Sequence, residues 1–356
     1  MSVRSDLQSD RSEYKHLKCD FADYLLMIYT MKKIMLVCAA MVALTAMTAC
    51  KSGTREKTVA EPLFADTIPI CFETDWGHTG AGGIFCSVEI NGVKVDTVLV
   101  DNGCYRSDID PDLAAKLDFT YRVYRTDTLR AKRGSEDLAD IARYSEVTDS
   151  LFYKIGHTSF RLDTIDINKW AALMYSMPSL GATIGRDVFE KYVVEIDLQR
   201  HFMVLSNHLP ASIGQYKAIP MEFTNQQGLP RFRCVQTDGF RLKDGAPCTA
   251  RVFLDLGNAG GTAFDSAFLN RVDQHFSQID TSSLAWLILS QIGSAVDSMN
   301  FPIELMDDNH RVVAKIPGSM MDLSVFNSDI LLGTDFFRHF NVIFDYKNNM
   351  LYLKHN

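Results

Sequence analysis

Two short stretches place a carboxylate where an apolar run breaks off. In "VLVDNGCY", Val98 to Tyr105, three apolar residues run into Asp101, and Asn102, Gly103 and Cys104 follow at once. In "VFLDLGNA", Val252 to Ala259, the same order gives Asp255, Leu256, Gly257 and Asn258. A carboxylate held at the end of a strand can act as a general acid or base. It can equally do no more than close a turn. One occurrence decides nothing, but the recurrence makes both worth following.

The surrounding elements recur as well. "VLVDNGCYRSDIDPDLAAKL" matches "VFLDLGNAGGTAFDSAFLNRV": an apolar strand, Asp-x-Gly, a small polar loop, then a short helix. Asp110 before Pro111 is a good helix start, and Asp265 before "SAFLNRV" is another. Further on, "ATIGRDVFEKYVVEIDLQRHFMVL" matches "DILLGTDFFRHFNVIFDYKNNMLYL", each ending in a hairpin around Asp197 or Asp345. Asp101 and Asp255 lie 154 positions apart, and Gly185 and Gly333 lie 148 apart. Two blocks in the same order at matching offsets mean a duplicated unit. The predicted boundary is the Pro- and Gly-bearing segment 206–220, with lobes at 63–206 and 207–356. Two copies are too few for a solenoid, so a bilobal body with a cleft between the copies is the simpler expectation.

Elsewhere β signals dominate. "IFCSVEI", Asn91-Gly92 and "VKVDTVLV" predict a hairpin. "RFRCVQ", Asp238-Gly239 and "FRL" predict a second, which a Cys234–Cys248 disulfide could bridge. The apolar run "LAWLIL" reads as core. "GHTGAGG", Gly77 to Gly83, lacks the Lys-Ser/Thr of a phosphate loop and leads into a strand, so it reads as a loop feeding that strand. No CxxC, HExxH or GxSxG occurs, which argues against a zinc site and an α/β-hydrolase.

The chain has 356 residues, 47% of them hydrophobic, enough for a sizeable core, and a formal net charge of −8. No basic stripe marks a nucleic-acid partner. Near the N-terminus, Met31-Lys32-Lys33 precedes an apolar run from Ile34 to Ala46, and "MTAC" then ends in Cys50. That run is short for a bilayer span. The order of charge, apolar run, small residues and Cys resembles a bacterial lipoprotein signal, with Cys50 as the lipidated first residue of the mature chain. On that reading Met31 is the true start, 1–30 is a mis-called extension, 31–50 is the signal and 51–62 is a tether to the membrane. The expected location is then the cell envelope, periplasmic or on the cell surface. A plain cleaved signal peptide is the blander alternative. Five cysteines follow Cys50, so at least one stays free.

The two Asp-x-Gly loops and the "IGRD" and "LLGTD" blocks resemble the retropepsin-like aspartyl protease family in its bacterial tandem form. The likeness covers most of residues 70–356. It implies a mostly β fold of two β-barrel lobes with short helices, related by a pseudo-twofold axis, each giving one Asp: Asp101 and Asp255. Two such carboxylates share one proton, and a water held between them attacks a peptide carbonyl. Gly103 and Gly257 would let the loops turn tightly. The family pattern needs no metal or organic cofactor, its substrate is an extended peptide or protein, and one chain carrying both halves needs no dimer. Flap hairpins are expected around Gly134-Ser135 and Gly293-Ser294.

The chain departs from the family pattern at four positions. Asn102 and Leu256 stand where paired Thr residues bond across the axis; Asn102 retains hydrogen-bonding capacity and Leu256 has none. Cys104 and Asn258 replace small Ala or Ser residues. Two other readings follow. One is a lapsed enzyme that binds peptide or glycan in the interlobe cleft, motivated by Leu256. The other is a thiol enzyme built on Cys104, which no His motif supports.

Overall fold

The structure, a computed structural model, describes residues 62–73, 82–117, 119–127, 131–133, 136–138, 142–168, 180–223, 233–258, 261–273, 284–285, 303–306, 312–316, 320–321, 323 and 326–356. Two short strands, β1 (Ala65–Pro69) and β2 (Cys71–Glu73), lead to the hairpin of β3 (Gly83–Ile90) and β4 (Val93–Val100). Asn91 and Gly92 sit at φ 46° and 80°, the backbone that a tight two-residue turn demands. β5 (Asp108–Ile109) and α1 (Pro111–Ala114) follow, with Pro111 at the helix start and the Asp110 carboxylate accepting from the Asp112 N–H. Next come β6 (Tyr121–Asp127), β7 (Ala131–Arg133), β8 (Glu136–Leu138), β9 (Ala142–Ile155) and β10 (Thr158–Asn168). β11 (Ala182–Ile184), α2 (Arg186–Lys191), and the hairpin of β12 (Val193–Asp197) and β13 (Phe202–Ser206) close the first half.

The second half begins after a 3-10 turn at Ile213–Gln215. β14 (Lys217–Phe223) leads to the paired β15 (Arg233–Arg241) and β16 (Pro247–Leu254). β17 (Ala263–Asp265) feeds α3 (Ser266–Arg271), whose Phe268 N–H is taken by the Asp265 carboxylate at 3.0 Å. β18 (Ile303–Met306), β19 (Val312–Ile316), β20 (Met320–Met321) and β21 (Ile330–Leu332) precede α4 (Thr334–Phe337). The hairpin of β22 (Phe340–Asp345) and β23 (Met350–His355) ends the chain. The fold is mostly β, with few and short helices.

In the first half, β3, β4, β11, β5, β10 and β9 bond in sequence, and β9 returns to β3 through Glu89–Lys154 and Ile90–Tyr153. This closes a six-stranded barrel. Within it β11 runs parallel to β4 and antiparallel to β5. In the second half β21 runs parallel to β16 and antiparallel to β17. Individual hydrogen bonds repeat too. The Asp101 N–H donates to Ile184 at 2.9 Å, and the Asp255 N–H donates to Leu332 at 3.0 Å. The Asp110 N–H reaches Gly181, and the Asp265 N–H reaches Asp329, both at 2.9 Å.

The halves meet through β12 and β22, which pair antiparallel with Glu195 opposite Ile343. Those two positions are 148 apart, like Gly185 and Gly333. Equivalent residues therefore face each other, the register that a local twofold axis through this pair requires. The Asp197 carboxylate accepts from the Arg200 N–H at one hairpin turn, and the Asp345 carboxylate accepts from Asn348 at the other. Phe189 of α2 meets Phe344 of β22 edge-on at 5.5 Å. One buried apolar cluster accordingly runs from Ile68 to Leu353, so apolar burial joins the two halves as well as filling each.

Two expectations are corrected. Asp238-Gly239 is not a hairpin turn: β15 continues through it with a bulge between Thr237 and Phe240, and Gly239 takes φ 112°. The Asp238 carboxylate anchors that bulge by accepting from Thr249 Oγ1 at 2.6 Å. The chain instead reverses where Leu242 N–H bonds Ala246, with Gly245 at φ 85°. Cys234 and Cys248 are not bridged. They lie opposite Phe253 and Phe240, six residues apart along β15, or about 20 Å, far beyond disulfide reach. All five described cysteines are free thiols. Of "LAWLIL", Leu284 and Ala285 are described, and both are buried. No helix among the described residues is long and apolar enough to cross a membrane. The lipoprotein-like segment and Cys50 lie outside the described residues.

Candidate active site

Each Asp-x-Gly loop begins where its strand ends. β4 and β16 are apolar because both are buried beside β11 and β21, and the ladder holds the backbone of Asp101 and Asp255 in place. The two side chains then converge. A Cβ added to Gly103 would lie 2.5 Å from Asp255 Oδ1 and 3.1 Å from Asp101 Oδ1, so one small volume touches both carboxyl groups. Each carboxyl group is close enough to the other to alter its proton affinity.

Their surroundings set them apart. Burial raises the pKa of Asp101, while N–H donors of Cys104 and Gly103 hold its charge, with Gly257 helping from the opposite loop. The Gly103 and Cys104 bonds to Asp101 Oδ1 measure 2.8 and 3.0 Å. Asp255 is pushed well above the usual carboxylate range by burial, by the Asp101 charge and by their shared hydrogen bond. Its own N–H donors, Gly257 at 2.9 Å and Asn258, do not offset this. Like charges this close cannot both persist, so the pair shares one proton. A base and an acid then stand side by side, able to take a proton from water and give one to a carbonyl oxygen.

Asn102, Leu256, Cys104 and Asn258 each make specific contacts. Asn102 is 3% exposed and reaches across the seam: its Oδ1 accepts from Leu256 N–H at 2.7 Å. Its Nδ2 donates to the Leu254 carbonyl and to the Tyr346 hydroxyl, both at 3.0 Å. The Leu256 side chain returns nothing to this clasp and is wholly buried in the core. Cys104 Sγ lies against Asp108 Oδ2 at 3.9 Å, not against Asp101. The Asn258 side chain donates to the Gly261 carbonyl, and only its backbone N–H serves Asp255.

Beneath each loop sits a brace. The Ser107 N–H and Oγ both donate to Asp187 Oδ1, at 3.1 and 2.6 Å. The Thr262 N–H and Oγ1 donate to Asp335, both at 2.9 Å. Gly185 packs so tightly on Arg106 that a Cβ would meet its backbone carbonyl carbon at 2.2 Å. The four residues of these two braces, and Tyr346, were not singled out from sequence. The signal was present: Asp187 and Asp335 recur in "IGRD" and "LLGTD", and a hydroxyl residue follows each loop.

β7 and β8 pair from Ala131–Leu138 to Arg133–Glu136, so a hairpin brackets the first expected flap position, Gly134-Ser135. Those two residues, and the second flap candidate at Gly293-Ser294, lie outside the described residues. Among the described residues no cluster of three or more His, Cys, Asp or Glu is placed to hold a metal ion. No family model matches this chain, and no curated protein matches it as a relative.

Proposed function

We propose that the chain is an aspartic-type endopeptidase of the cell envelope, built as two tandem retropepsin-like lobes and anchored through a lipid on Cys50. The carrying observation is the convergence of the Asp101 and Asp255 carboxyl groups at the seam, where one small volume beside Gly103 touches both. Asp101 takes a proton from a water held between them, the oxygen of that water attacks the peptide carbonyl, and Asp255 donates its proton to the carbonyl oxygen. Asp101 then gives the proton it took to the amide nitrogen, a hydroxyl of the tetrahedral adduct returns its proton to Asp255, and collapse of the adduct breaks the C–N bond to release the amine and the new carboxyl group. No metal or organic cofactor enters this scheme, and one chain supplies both acids.

The lapsed-enzyme reading drew on Leu256. Against it stands the Asn102 clasp, which fastens both loops through three hydrogen bonds without help from position 256. The test is peptide-mixture digestion by the purified protein from acid to neutral pH, beside Asp101→Asn and Asp255→Asn. Cleavage by the wild type, with one 18O atom from labelled water in the new carboxylate, and loss in both folded variants is the expected result. Peptide binding without cleavage at any pH would leave the lapsed reading instead.

A further inference from the structure

The two halves differ on the face that carries the aspartates. Strand pairing sets Leu99, Thr183 and Asp108 side by side across β4, β11 and β5, and β10 adds Asp166 next to Asp108. Residues paired across neighbouring strands project to one face, and Asp101 follows Leu99 by two positions on that same face. In the second half the matching row is Phe253, Leu331 and Ala263. Leu323 and Phe326 pack onto that row, with Phe253 and Phe326 stacked at 5.0 Å. One row is acidic where its counterpart is apolar.

The acidic row is buried without being balanced. Asp108 and Asp166 are 5% and 8% exposed, and neither forms an ion pair among the described residues. Asp166 Oδ1 is buried and has no hydrogen-bond partner among the described residues. An unmet buried acceptor costs about 1–3 kcal/mol and calls for an explanation. Burial pushes Asp108 up to about 8 and Asp166 up to about 7. Thr183 pulls Asp108 down as a hydrogen-bond partner, and the charges of Asp166, Asp101 and Asp187 add to its rise; Asp187 adds to the rise at Asp166, where Arg106 pulls the other way. Both groups thus require a proton or a cation. Cys104 links the row to the catalytic loop through its 3.9 Å contact with Asp108.

We propose that Asp108 and Asp166 form a specificity subsite beside Asp101 that takes the cationic side chain of a Lys or Arg in the bound peptide. The ammonium or guanidinium donates to Asp166 Oδ1, and the proton it displaces leaves to solvent. This rests on the endopeptidase reading for the presence of a peptide in the cleft.

The experiment has two arms. One digests a peptide mixture with the wild-type chain, Asp108→Asn and Asp166→Asn. The other measures binding of paired peptides, Lys against norleucine at one position, to Asp255→Asn alone and combined with each substitution. Both substitutions are isosteric, and two are used so that loss of one fold leaves the other readable. The expected result is a preference of about tenfold for Lys or Arg at one position, the scale of a charge-assisted hydrogen bond, abolished by either substitution while norleucine peptides are handled unchanged. Absence of a basic preference, or its persistence in both variants, overturns the subsite. Lys-selective binding that depends on Asp108 with no cleavage by the wild type would keep the subsite and sink the endopeptidase.

Discussion

Asn102 and Leu256 are joined across the seam of the molecule by a 2.7 Å hydrogen bond from the Leu256 amide to Asn102 Oδ1. One side chain here fastens both Asp-x-Gly loops, since its Nδ2 also holds Leu254 and Tyr346. Asn102→Ala leaves a buried N–H, a carbonyl and a hydroxyl without this partner. The expected cost is about 2–4 kcal/mol of stability, read as a lowered urea midpoint at unchanged slope. Leu256→Thr, which removes core volume without touching the clasp, is expected to lower stability without raising turnover.

Close approach of the loops makes Gly257 irreplaceable. A Cβ there would sit 2.1 Å from Asp101 Cγ and 2.2 Å from its Oδ2. That carboxyl is short and tied by the Gly103 and Cys104 N–H groups, so it must be displaced rather than swing aside. Gly257→Ala is expected to lower kcat by about a hundredfold or more, as misplacement by about 1 Å does. Circular dichroism should remain that of the wild type, because the clash is confined to the loop. Full activity in Gly257→Ala would mean the two acids are not the reacting pair.

What was legible in the sequence was what repeats. Asp101 and Asp255, the helix starts at Asp110 and Asp265, and the Asn91-Gly92 turn each have a local chemical reason, and the structure places them as that reason requires. Asp238-Gly239 looked like a turn because Asp-Gly usually is one. Only strand pairing shows that β15 absorbs it as a bulge. Asp108 and Asp166 were invisible for a different reason. They are 58 positions apart and meet only because β10 lies parallel to β5, a pairing no local pattern announces. Ser107–Asp187 and Thr262–Asp335 are long-range in the same way, though their recurrence at matching offsets was open to reading.

Buried acids fix the direction of pH dependence. Asp108 and Asp166 hold their protons up to about 8 and about 7 in the fold, against 3.8 for the ordinary side chain. A carboxyl raised in the folded state stabilises fully below the unfolded value and loses that contribution as pH climbs through the folded one. The unfolding temperature should therefore fall between about pH 4 and pH 8 on their account. Asp66 acts oppositely and outside this window: burial pushes it up, but hydrogen bonds from His157 and Thr158 win and hold it below its ordinary value. Its contribution is lost only as pH drops beneath about 4. Thermal scans from pH 3 to pH 9 should show the fall, and Asp108→Asn should flatten it. A rising unfolding temperature from pH 5 to pH 8 that Asp108→Asn leaves untouched would contradict the buried-acid account.

Cys104 offers the sharpest separation between two kinds of hydrolysis. A thiol attacks as its thiolate. Burial raises the Cys104 pKa well above the usual thiol value, and the charges of Asp101, Asp108 and Asp166 raise it further. Its Sγ lies against the Asp108 carboxyl, an acidic neighbour that disfavours the thiolate. Cys104→Ala removes a small, half-buried side chain and leaves the Cys104 N–H bond to Asp101 intact, because that donor is backbone. The substitution is expected to preserve cleavage within about threefold, and iodoacetamide at pH 8 should leave the wild type active, as follows for a thiol that stays protonated. Asp101→Asn in the same assay should abolish cleavage. The reverse pattern, activity lost with the thiol and kept without the carboxylate, would transfer the chemistry from the acid pair to the sulfur.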